Sequence, residues 1–303
     1  MHEPIWGIDL GGTKIEGVIL PSLEDAKPII RERIDTEGHH GYRHVLGQVK
    51  TLVDRMAGKT GLLPRKLGIG TPGVLDPVLH TMKNCNSTSL NGKPLHTDLQ
   101  EILSIPVALA NDANCFALAE THWGVVRHQF PEARMVFGII MGTGVGGGIV
   151  HNQKIWAGKH GIAGEWGHNF LDLSGGPCYC GKTGCVETVL SGPALEKFYK
   201  SISGLSLSLK EIALRATEGG DPFAHRTLER LHSFFGHAVS VVTNILDPDI
   251  IVVGGGVGNI GSIYAEGREA LRGQIFNNRL DLQVVQPMLG DSAGVFGAAA
   301  LVA

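Results

Sequence analysis

The stretch that decides the fold is IWGIDLGGTKIEGVIL, residues 5–20. Two apolar segments, 5–10 and 15–20, flank the turn GGTK, so the pattern predicts a β-hairpin. A P-loop or a dinucleotide-binding fingerprint would place a helix directly after such glycines. Here the pattern of a second strand follows the glycines, which excludes both of those motifs.

The same pattern returns over residues 135–150, which read MVFGIIM, GTG and VGGGIV. Two hairpins of this kind predict a duplicated α/β fold with one Gly-Thr turn in each half. A third glycine turn, 254–256, follows the fully apolar strand pattern of residues 250–253. The three turns therefore share one local design.

Glycine turns after apolar strands are typical of sites that bind polyphosphate. Backbone N–H groups approach phosphate closely only where no Cβ intervenes, and a threonine hydroxyl adds a donor. One such turn is weak support because hairpins use glycine for geometry alone, whereas three turns indicate a nucleotide site. Asp9 precedes the first turn and could hold a water on Mg²⁺, or else cap local donors. The predicted nucleotide-binding residues are Asp9, Gly11, Gly12, Thr13, Lys14, Gly142, Thr143, Gly144, Gly254, Gly255 and Gly256.

A dense cluster of metal-ligand residues lies in the middle of the chain. His168, Cys178, Cys180 and Cys185 fall within eighteen residues, among glycines that let the backbone fold round an ion. This donor set predicts a closed Cys3His zinc site. The alternative is a group of buried cysteines beside a chance histidine. The Cys178–Cys180 spacing is narrower than in zinc fingers, which argues against a nucleic-acid-binding finger.

Asp112 is the candidate base. It follows the apolar strand pattern of residues 107–110 and begins a helix, where α/β folds collect their chemistry. A carboxylate there could accept a hydroxyl proton, or it could serve only as a helix N-cap. Asn111 and Asn114 could share the capping role. The residue pattern alone leaves base and cap open.

Composition narrows the class of protein. Of 303 residues, 43 are glycine, about twice the usual usage. A net charge of −3 favours no polyanionic partner, so we expect no nucleic-acid binding. No apolar run is long enough to span a membrane. Cysteines kept as metal ligands, with Cys85 and Cys115 left over, favour a reducing compartment, and we expect a cytoplasmic protein.

Helical periodicity marks two buried faces. Residues 45–56 carry one apolar stripe, and residues 223–245 carry a longer one that Asp247-Pro248-Asp249 should end. A terminal helix should begin near Gly294.

Taken together, the motifs resemble those of the ROK family, whose name covers repressors, open reading frames and kinases. They occur in the family's order as DLGGTK, NDAN, GTGVGGG, GEWGH and the segment from Cys178 to Glu187. The resemblance implies an actin-like ATPase (ribonuclease H-like) fold of two α/β domains with a cleft between them. We expect a small domain from residues 1–113 and 291–303, and a large domain from residues 114–290 that carries the zinc site.

The resemblance also implies an activity and its residues. A ROK sugar kinase transfers the γ-phosphoryl of ATP to the sugar 6-hydroxyl, with Mg²⁺ as cofactor, a structural Zn²⁺, and Asp112 as base. His168 would serve twice, one ring nitrogen on zinc and the other towards a sugar hydroxyl. A homodimer is expected. The implied sugar-binding residues are Gly73, Asn86, Asn111, Asp112, Glu165, His168 and Glu187.

The identity of the sugar is less constrained. The segment KNCNSTSLNG, residues 83–92, and Trp166 resemble the fructokinase/mannokinase branch, although that branch has an aromatic residue at the position of Ser89. Residues 114–118 and 142–148 also resemble N-acetylglucosamine kinases. The order of expectation is fructose or mannose, then glucose, then N-acetylglucosamine. Segment 87–92 could contact the sugar or form only a surface turn on Asn-Gly.

Two other classes remain as alternatives. A sugar-sensing repressor of this family would carry a helix-turn-helix before the first strand, and the sequence shows none before Ile5. A catalytically silent sugar-sensing protein of the family, without that element, is the related alternative. A structural actin-like ATPase would share the phosphate hairpins but would not need Asn111, Asp112 or the zinc cluster. The motifs favour the kinase.

Overall fold

The computed structural model describes residues 3–303, except the side chain of Asp291. The first two residues of the expected small domain therefore lie outside the described residues. Contacts divide the chain into two compact units. The first unit consists of Met1–Pro131, Gly148–Ala163 and Met288–Ala303, and the second of Glu132–Gly147 and Gly164–Pro287.

The described chain contains both strands and helices, in groups of one to four elements of the same kind. The strands are β1 (Ile5–Leu10), β2 (Lys14–Leu20), β3 (Ile30–Asp35), β4 (Leu67–Thr71), β5 (Val74–Leu75), β6 (Met82–Lys83), β7 (Val107–Asn111), β8 (Met135–Met141), β9 (Val145–His151), β10 (Lys154–Ile155), β11 (Ile250–Gly254) and β12 (Gln283–Val285). The α-helices are α1 (Tyr42–Thr60), α2 (Leu95–Leu103), α3 (Asp112–His122), α4 (Val125–Gln129), α5 (Val186–Leu190), α6 (Gly192–Ser203), α7 (Leu209–Glu218), α8 (Pro222–Leu246), α9 (Glu266–Arg272) and α10 (Ala293–Ala300).

The first sheet is built on the predicted hairpin. Its strand order is β3-β2-β1-β4-β7, with β1, β2 and β3 antiparallel and β1, β4 and β7 parallel. Asp9 of β1 is in register with Gly70 of β4, and Thr71 of β4 with Asn111 of β7. The carboxyl ends of β1, β4 and β7 therefore meet at one edge of the sheet.

The second sheet repeats this plan, as the duplicated hairpin predicted. Its order is β10-β9-β8-β11-β12, with β11 parallel to both β8 and β12. β8 and β9 are the two strands expected over residues 135–150. The α/β fold with two hairpin-based mixed sheets is therefore confirmed.

The terminal helix α10 packs against β1, β4 and α3. Glycine makes this close packing possible, because a Cβ at Gly68 would overlap the carbonyl oxygen of Ala298. A Cβ at Gly297 would likewise overlap the carbonyl oxygen of Cys115. Ala and Gly on α10 let the helix lie almost directly on the sheet backbone.

The predicted helical faces are confirmed. α1 buries Val45, Leu46, Val49, Leu52, Val53 and Met56, and α8 buries Leu228, Leu231, Phe235, Ala238, Val239 and Val242. Helix α8 begins at Pro222, and the Asp221 side chain accepts hydrogen bonds from the N–H groups of Phe223 and Ala224. Among the described helices, none combines the length and the apolar character that a membrane crossing would require.

Glu120 is a fully buried carboxylate at the end of α3. It accepts hydrogen bonds from the backbone N–H groups of Val125 at 2.9 Å, Met288 at 3.0 Å and Leu289 at 2.9 Å. Three charge-assisted bonds compensate the burial of this carboxylate. They also tie the segment that leads into α10 to the end of α3.

We expect Glu120→Gln to lower the free energy of unfolding by about 2–4 kcal/mol, because the amide NH2 would face backbone donors and leave them unsatisfied. Urea denaturation of the purified protein measures this loss. Glu101→Gln, at an exposed position of α2, is the matched control and should change stability by less than about 0.5 kcal/mol. Equal stability of the two variants would show that the buried bonds contribute nothing.

Candidate active site

Asp9 and Asp112 lie near each other at the carboxyl edge of the first sheet. The carboxylate of Asp9 lies against Gly70 and Gly294. A Cβ added at Gly70 would come 3.5 Å from an Asp9 oxygen, and a Cβ added at Gly294 would come 2.7 Å from one. Burial, followed by the negative charges of Asp112 and Glu16, raises the pKa of Asp9 to about 6, while the positive charge of Arg33 opposes this rise. The site is thus a pair of carboxyl groups in partly dehydrated surroundings.

Asp112 is free of the capping role that the sequence left open for it. The N-cap of α3 is Asn111, whose side chain accepts a hydrogen bond from Asn114 N at 2.9 Å. Asp112 accepts a local bond from the N–H of Ala113, at 2.8 Å. The side chain is partly exposed, yet the protein packed around it removes enough water to raise the pKa of its carboxyl. An accessible carboxylate of raised basicity is suited to accept a proton.

Thr36 holds the first glycine turn in place through hydrogen bonds. It is a buried residue that the sequence did not single out. Gly11 N donates to Lys14 O at 3.0 Å, and Thr36 Oγ1 donates to Gly11 O at 2.7 Å. Thr36 N donates to Thr13 O at 2.8 Å. Gly12 and Thr13 are exposed, as a phosphate-binding turn requires. The Lys14 side chain is exposed as well.

The loop after β6 brings Gly73 and Asn86 together in the first unit. Asn86 N donates to Pro72 O at 3.2 Å, and a Cβ at Gly73 would meet Cys85. The loop is braced by Asn91, whose side chain pairs with the backbone N–H and C=O of Cys85 at 2.8 and 3.1 Å. Asn91 thus has a structural role in the Asn-Gly turn.

A cavity of ≈ 720 Å³ borders this loop and the first glycine turn. Its lining residues are polar residues and glycines, and they include two carboxylates, one imidazole, one amide and several hydroxyls. The lining residues are Gly12, Thr13, Asp35, Glu37, Gly38, His39, Asn86, Ser87, Thr88 and Ser89.

In the second unit, Glu187 is joined to the second glycine turn. Its carboxylate accepts a hydrogen bond from Val145 N at 3.0 Å, and a Cβ at Gly144 would lie 2.6 Å from the same oxygen. Gly192 N donates to Gly142 O at 2.8 Å. The start of α6 and the segment that carries Glu187 therefore hold the turn in place.

The second and third glycine turns are neighbours. A Cβ at Gly142 would lie 4.0 Å from Gly256 N, and Thr143 is at the tip of the same turn. Gly255 has φ +82° and packs against Met141, so a side chain would be strained there. The turn that begins at Gly254 thus lies beside the turn that follows β8.

The four predicted zinc ligands come together as expected. The ligand atoms of His168, Cys178, Cys180 and Cys185 all lie within 4.8 Å of one another. Cys180 Sγ and Cys185 Sγ are 3.6 Å apart, and His168 Nδ1 is 3.6 Å from Cys178 Sγ. Two sulfurs of a tetrahedral zinc site with bonds of about 2.3 Å would be about 3.8 Å apart. The donor set and its spacing therefore fit zinc.

The other ring nitrogen of His168 has a partner that the sequence analysis missed. His168 Nε2 lies 3.0 Å from Tyr179 Oη, and the two rings meet edge-on with centroids 5.2 Å apart. Burial, together with Glu187, Cys178 and Glu165, raises the pKa of Tyr179 to about 12. Glu165, just before the 3₁₀ turn Trp166–His168, thus belongs to the same cluster. The sequence signal for this contact was a tyrosine placed between Cys178 and Cys180, two of the predicted zinc ligands.

Similarity to known proteins agrees with this geometry. The family model described as ROK family matches residues 5–303. An N-acetyl-D-glucosamine kinase of Histophilus somni is 35% identical over 98% of both chains. Among solved structures, a ROK hexokinase of Thermus thermophilus is 28% identical with a TM-score of 0.86, covering 98% of this chain and 97% of that one. A ROK glucokinase of Streptomyces griseus, solved with glucose and AMPPNP, is 27% identical with a TM-score of 0.79 over 98% of each chain. The chain belongs to the ROK family.

Proposed function

We propose that this protein is an ATP-dependent sugar kinase whose preferred acceptor is N-acetyl-D-glucosamine, phosphorylated on the 6-hydroxyl. The observation that carries the kinase proposal is the pair of carboxyls Asp9 and Asp112, beside a glycine turn at one sheet edge. A kinase acting on an alcohol needs one carboxylate near the hydroxyl and backbone donors for the phosphates.

The choice of acceptor departs from the order expected from the sequence. N-acetyl-D-glucosamine kinases of several bacteria, among them Pasteurella multocida and Histophilus somni, are 34–35% identical over nearly the whole chain. These relatives favour the acceptor that the sequence analysis ranked after fructose, mannose and glucose. The polar cavity beside Asn86 supports the same choice, since an acetamido group needs space and hydrogen-bond partners.

The roles divide between the two units. In the first unit, Asp112 accepts the proton of the 6-hydroxyl as its oxygen attacks the γ-phosphorus, and Gly73, Asn86 and Asn111 bind the sugar. In the second unit, the hydroxyl-binding groups are Glu165, His168 and Glu187. Asp9 fits a water-mediated Mg²⁺ contact, and bound Mg²⁺ would neutralise charge on the phosphates. The glycine turns 11–13, 142–144 and 254–256 supply backbone donors to the nucleotide.

The first test is ADP release from MgATP with N-acetylglucosamine, fructose, mannose and glucose in parallel. We expect the highest kcat/KM for N-acetylglucosamine, and Asp112→Asn should lower kcat by about 10²–10⁴-fold because the general base is lost. Sugar binding by calorimetry should be retained in that variant, since the amide still accepts from Ala113 N.

Asp54→Asn, at an exposed helix position, is the control and should keep full turnover. Retained turnover in Asp112→Asn would remove Asp112 from the mechanism. Turnover only on fructose would overturn the choice of acceptor. Silence on all four sugars, with folded zinc-loaded protein, would favour the sugar-sensing alternative.

The raised pKa of Asp9 predicts that this residue lowers the free energy of unfolding as pH rises. Its carboxyl is protonated more readily in the folded state, so the associated stability is present below pH 4 and lost as pH rises through about 6. A shift from 3.8 to about 6 corresponds to about 3 kcal/mol. Asp9→Asn should therefore be more stable than wild type at pH 8 by up to that amount, relative to their difference at pH 4.

Urea denaturation at both pH values measures the effect, with the exposed Asp25→Asn as control. A stability difference between Asp9→Asn and wild type that is constant across this range would contradict the raised pKa. Loss of MgATP turnover in the more stable variant would support a functional need for the carboxylate.

Removal of one metal ligand should weaken acceptor binding. Cys180→Ala should lose bound zinc and raise the acceptor KM by roughly 10-fold or more, because zinc fixes His168 and, through the same segment, Glu187. Metal analysis and steady-state kinetics measure the two effects. Cys115→Ala, a buried thiol outside the cluster, should keep its zinc. An unchanged KM in zinc-free Cys180→Ala would separate the metal site from the sugar.

A further inference from the structure

Tyr264 lies next to the third glycine turn, residues 254–256. It ends the 3₁₀ turn Gly261–Tyr264, and its Oη lies 2.9 Å from Val253 O and 2.6 Å from Gly258 O. One of these carbonyls precedes the glycine turn and the other follows it. The tyrosine hydroxyl therefore joins the two ends of the loop that carries the turn.

The Tyr264 hydroxyl is the donor in both contacts, because a backbone carbonyl can only accept a hydrogen bond. Burial raises the pKa of Tyr264, so the O–H group keeps its proton at neutral pH. A hydroxyl has one proton, and the two carbonyls share it in a three-centre bond. Removal of the hydroxyl would take this donor from both carbonyls and let the two ends of the loop move apart.

The loop is also packed closely against its surroundings. A Cβ at Gly258 would lie 2.7 Å from Val253 O, and a Cβ at Gly255 would lie 2.4 Å from Met141 O. The second of these contacts places the glycine turn against the end of β8. The positions of the backbone N–H groups in turn 254–256 are therefore set by how its two ends are held.

Helix α8 anchors the segment that carries Tyr264. His232 of α8 lies with Nε2 2.8 Å from Ser262 Oγ and with Nδ1 3.2 Å from the Glu266 carboxylate. Ser262 belongs to the same 3₁₀ turn as Tyr264, and Glu266 begins α9. The tyrosine is thus supported by a long packed helix and not by the loop that it contacts. A rigid support of this kind lets one hydroxyl fix the shape of a loop.

We propose that Tyr264 is a positioning residue for the nucleotide, whose hydroxyl closes the loop 253–258 and holds the third glycine turn in the geometry that binds ATP. The inference rests on the proposed kinase function, which assigns this turn to the nucleotide. Backbone donors bind most tightly when they are pre-organised, because binding then does not have to order the loop. Tyr264 touches no reacting atom, so its loss should weaken nucleotide binding and leave the chemical step unchanged.

The test is Tyr264→Phe, which keeps the ring and removes only the hydroxyl. We expect the Kd of AMPPNP with Mg²⁺, measured by calorimetry, and the KM of ATP to rise about 3–10-fold, because one shared hydrogen bond is lost. The acceptor KM, and kcat at saturating ATP, should change less than about 2-fold, because neither depends on this loop.

Tyr199→Phe is the matched control. It removes another buried tyrosine hydroxyl of the second unit, 2.7 Å from Asp221, whose partner is the start of α8 and not a glycine turn. It should lower the temperature of unfolding while leaving the Kd of AMPPNP and the KM of ATP unchanged. If Tyr264→Phe binds AMPPNP as tightly as wild type, or raises the acceptor KM as much as the ATP KM, the positioning role is overturned.

Gly258→Ala tests the same loop without altering the tyrosine. Its Cβ would press against Val253 O, so the loop must widen, and we expect the Kd of AMPPNP to rise as it does in Tyr264→Phe. Gly261→Ala is the control, because a Cβ there meets nothing within 4 Å, and it should bind the nucleotide like wild type. Equal weakening in the two alanine variants would contradict the role of loop closure.

Failure of the proposed function can be told apart from failure of the positioning role. A folded wild-type protein that does not bind AMPPNP would overturn the nucleotide assignment and this inference with it. A wild-type protein that binds AMPPNP, beside a Tyr264→Phe variant of equal affinity, would overturn the role of Tyr264 alone. The calorimetric measurement needs neither sugar nor turnover, so the identity of the acceptor does not affect it.

Discussion

Parallel pairing of β1, β4 and β7 is the constraint on which the chemistry of the first unit depends. Backbone hydrogen bonds fix Asp9 level with Gly70, and Thr71 level with Asn111, so the residue after β7 emerges beside the end of β1. Burial raises the pKa of both carboxyl groups, and the negative charge of Asp112 makes Asp9 harder still to ionise. Glu16, which pairs with Asp9 across the hairpin, raises the pKa of Asp9 as well.

Local patterns predicted much of this fold. The hairpin of residues 5–20, its repeat at 135–150 and the stripes of α1 and α8 could be read directly, because alternation and helical periodicity are local properties. The zinc cluster was also predictable, since its ligands fall within eighteen residues. In each of these features, the residues that form the pattern lie close together in the sequence.

The residues that the sequence did not reveal act over long separations. Glu120 binds Met288 and Leu289, and Thr36 holds a turn that precedes it by more than twenty residues. Neither position carries a motif, because a buried carboxylate and a buried hydroxyl look like surface residues in a sequence. Tyr179 is a different case because it lies inside a recognised motif. Its contact with His168 Nε2 becomes visible only once the orientation of the His168 ring is known. The question of base or cap at Asp112 likewise needed coordinates, which assign the cap to Asn111.

The position of α10 has a consequence for how the protein is made. This helix fills the glycine-lined face of β1 and β4, yet it follows the last strand of the first sheet by about 180 residues in the sequence. Ribosomes add about 5–20 residues per second, so the first sheet waits roughly 10–40 s for its last layer after its own strands have been synthesised. During that interval the apolar face over Gly7 and Gly68 has no native cover. The first unit therefore completes its native packing only after the second unit has been translated, when the Glu120 carboxylate can bind Met288 and Leu289 ahead of α10.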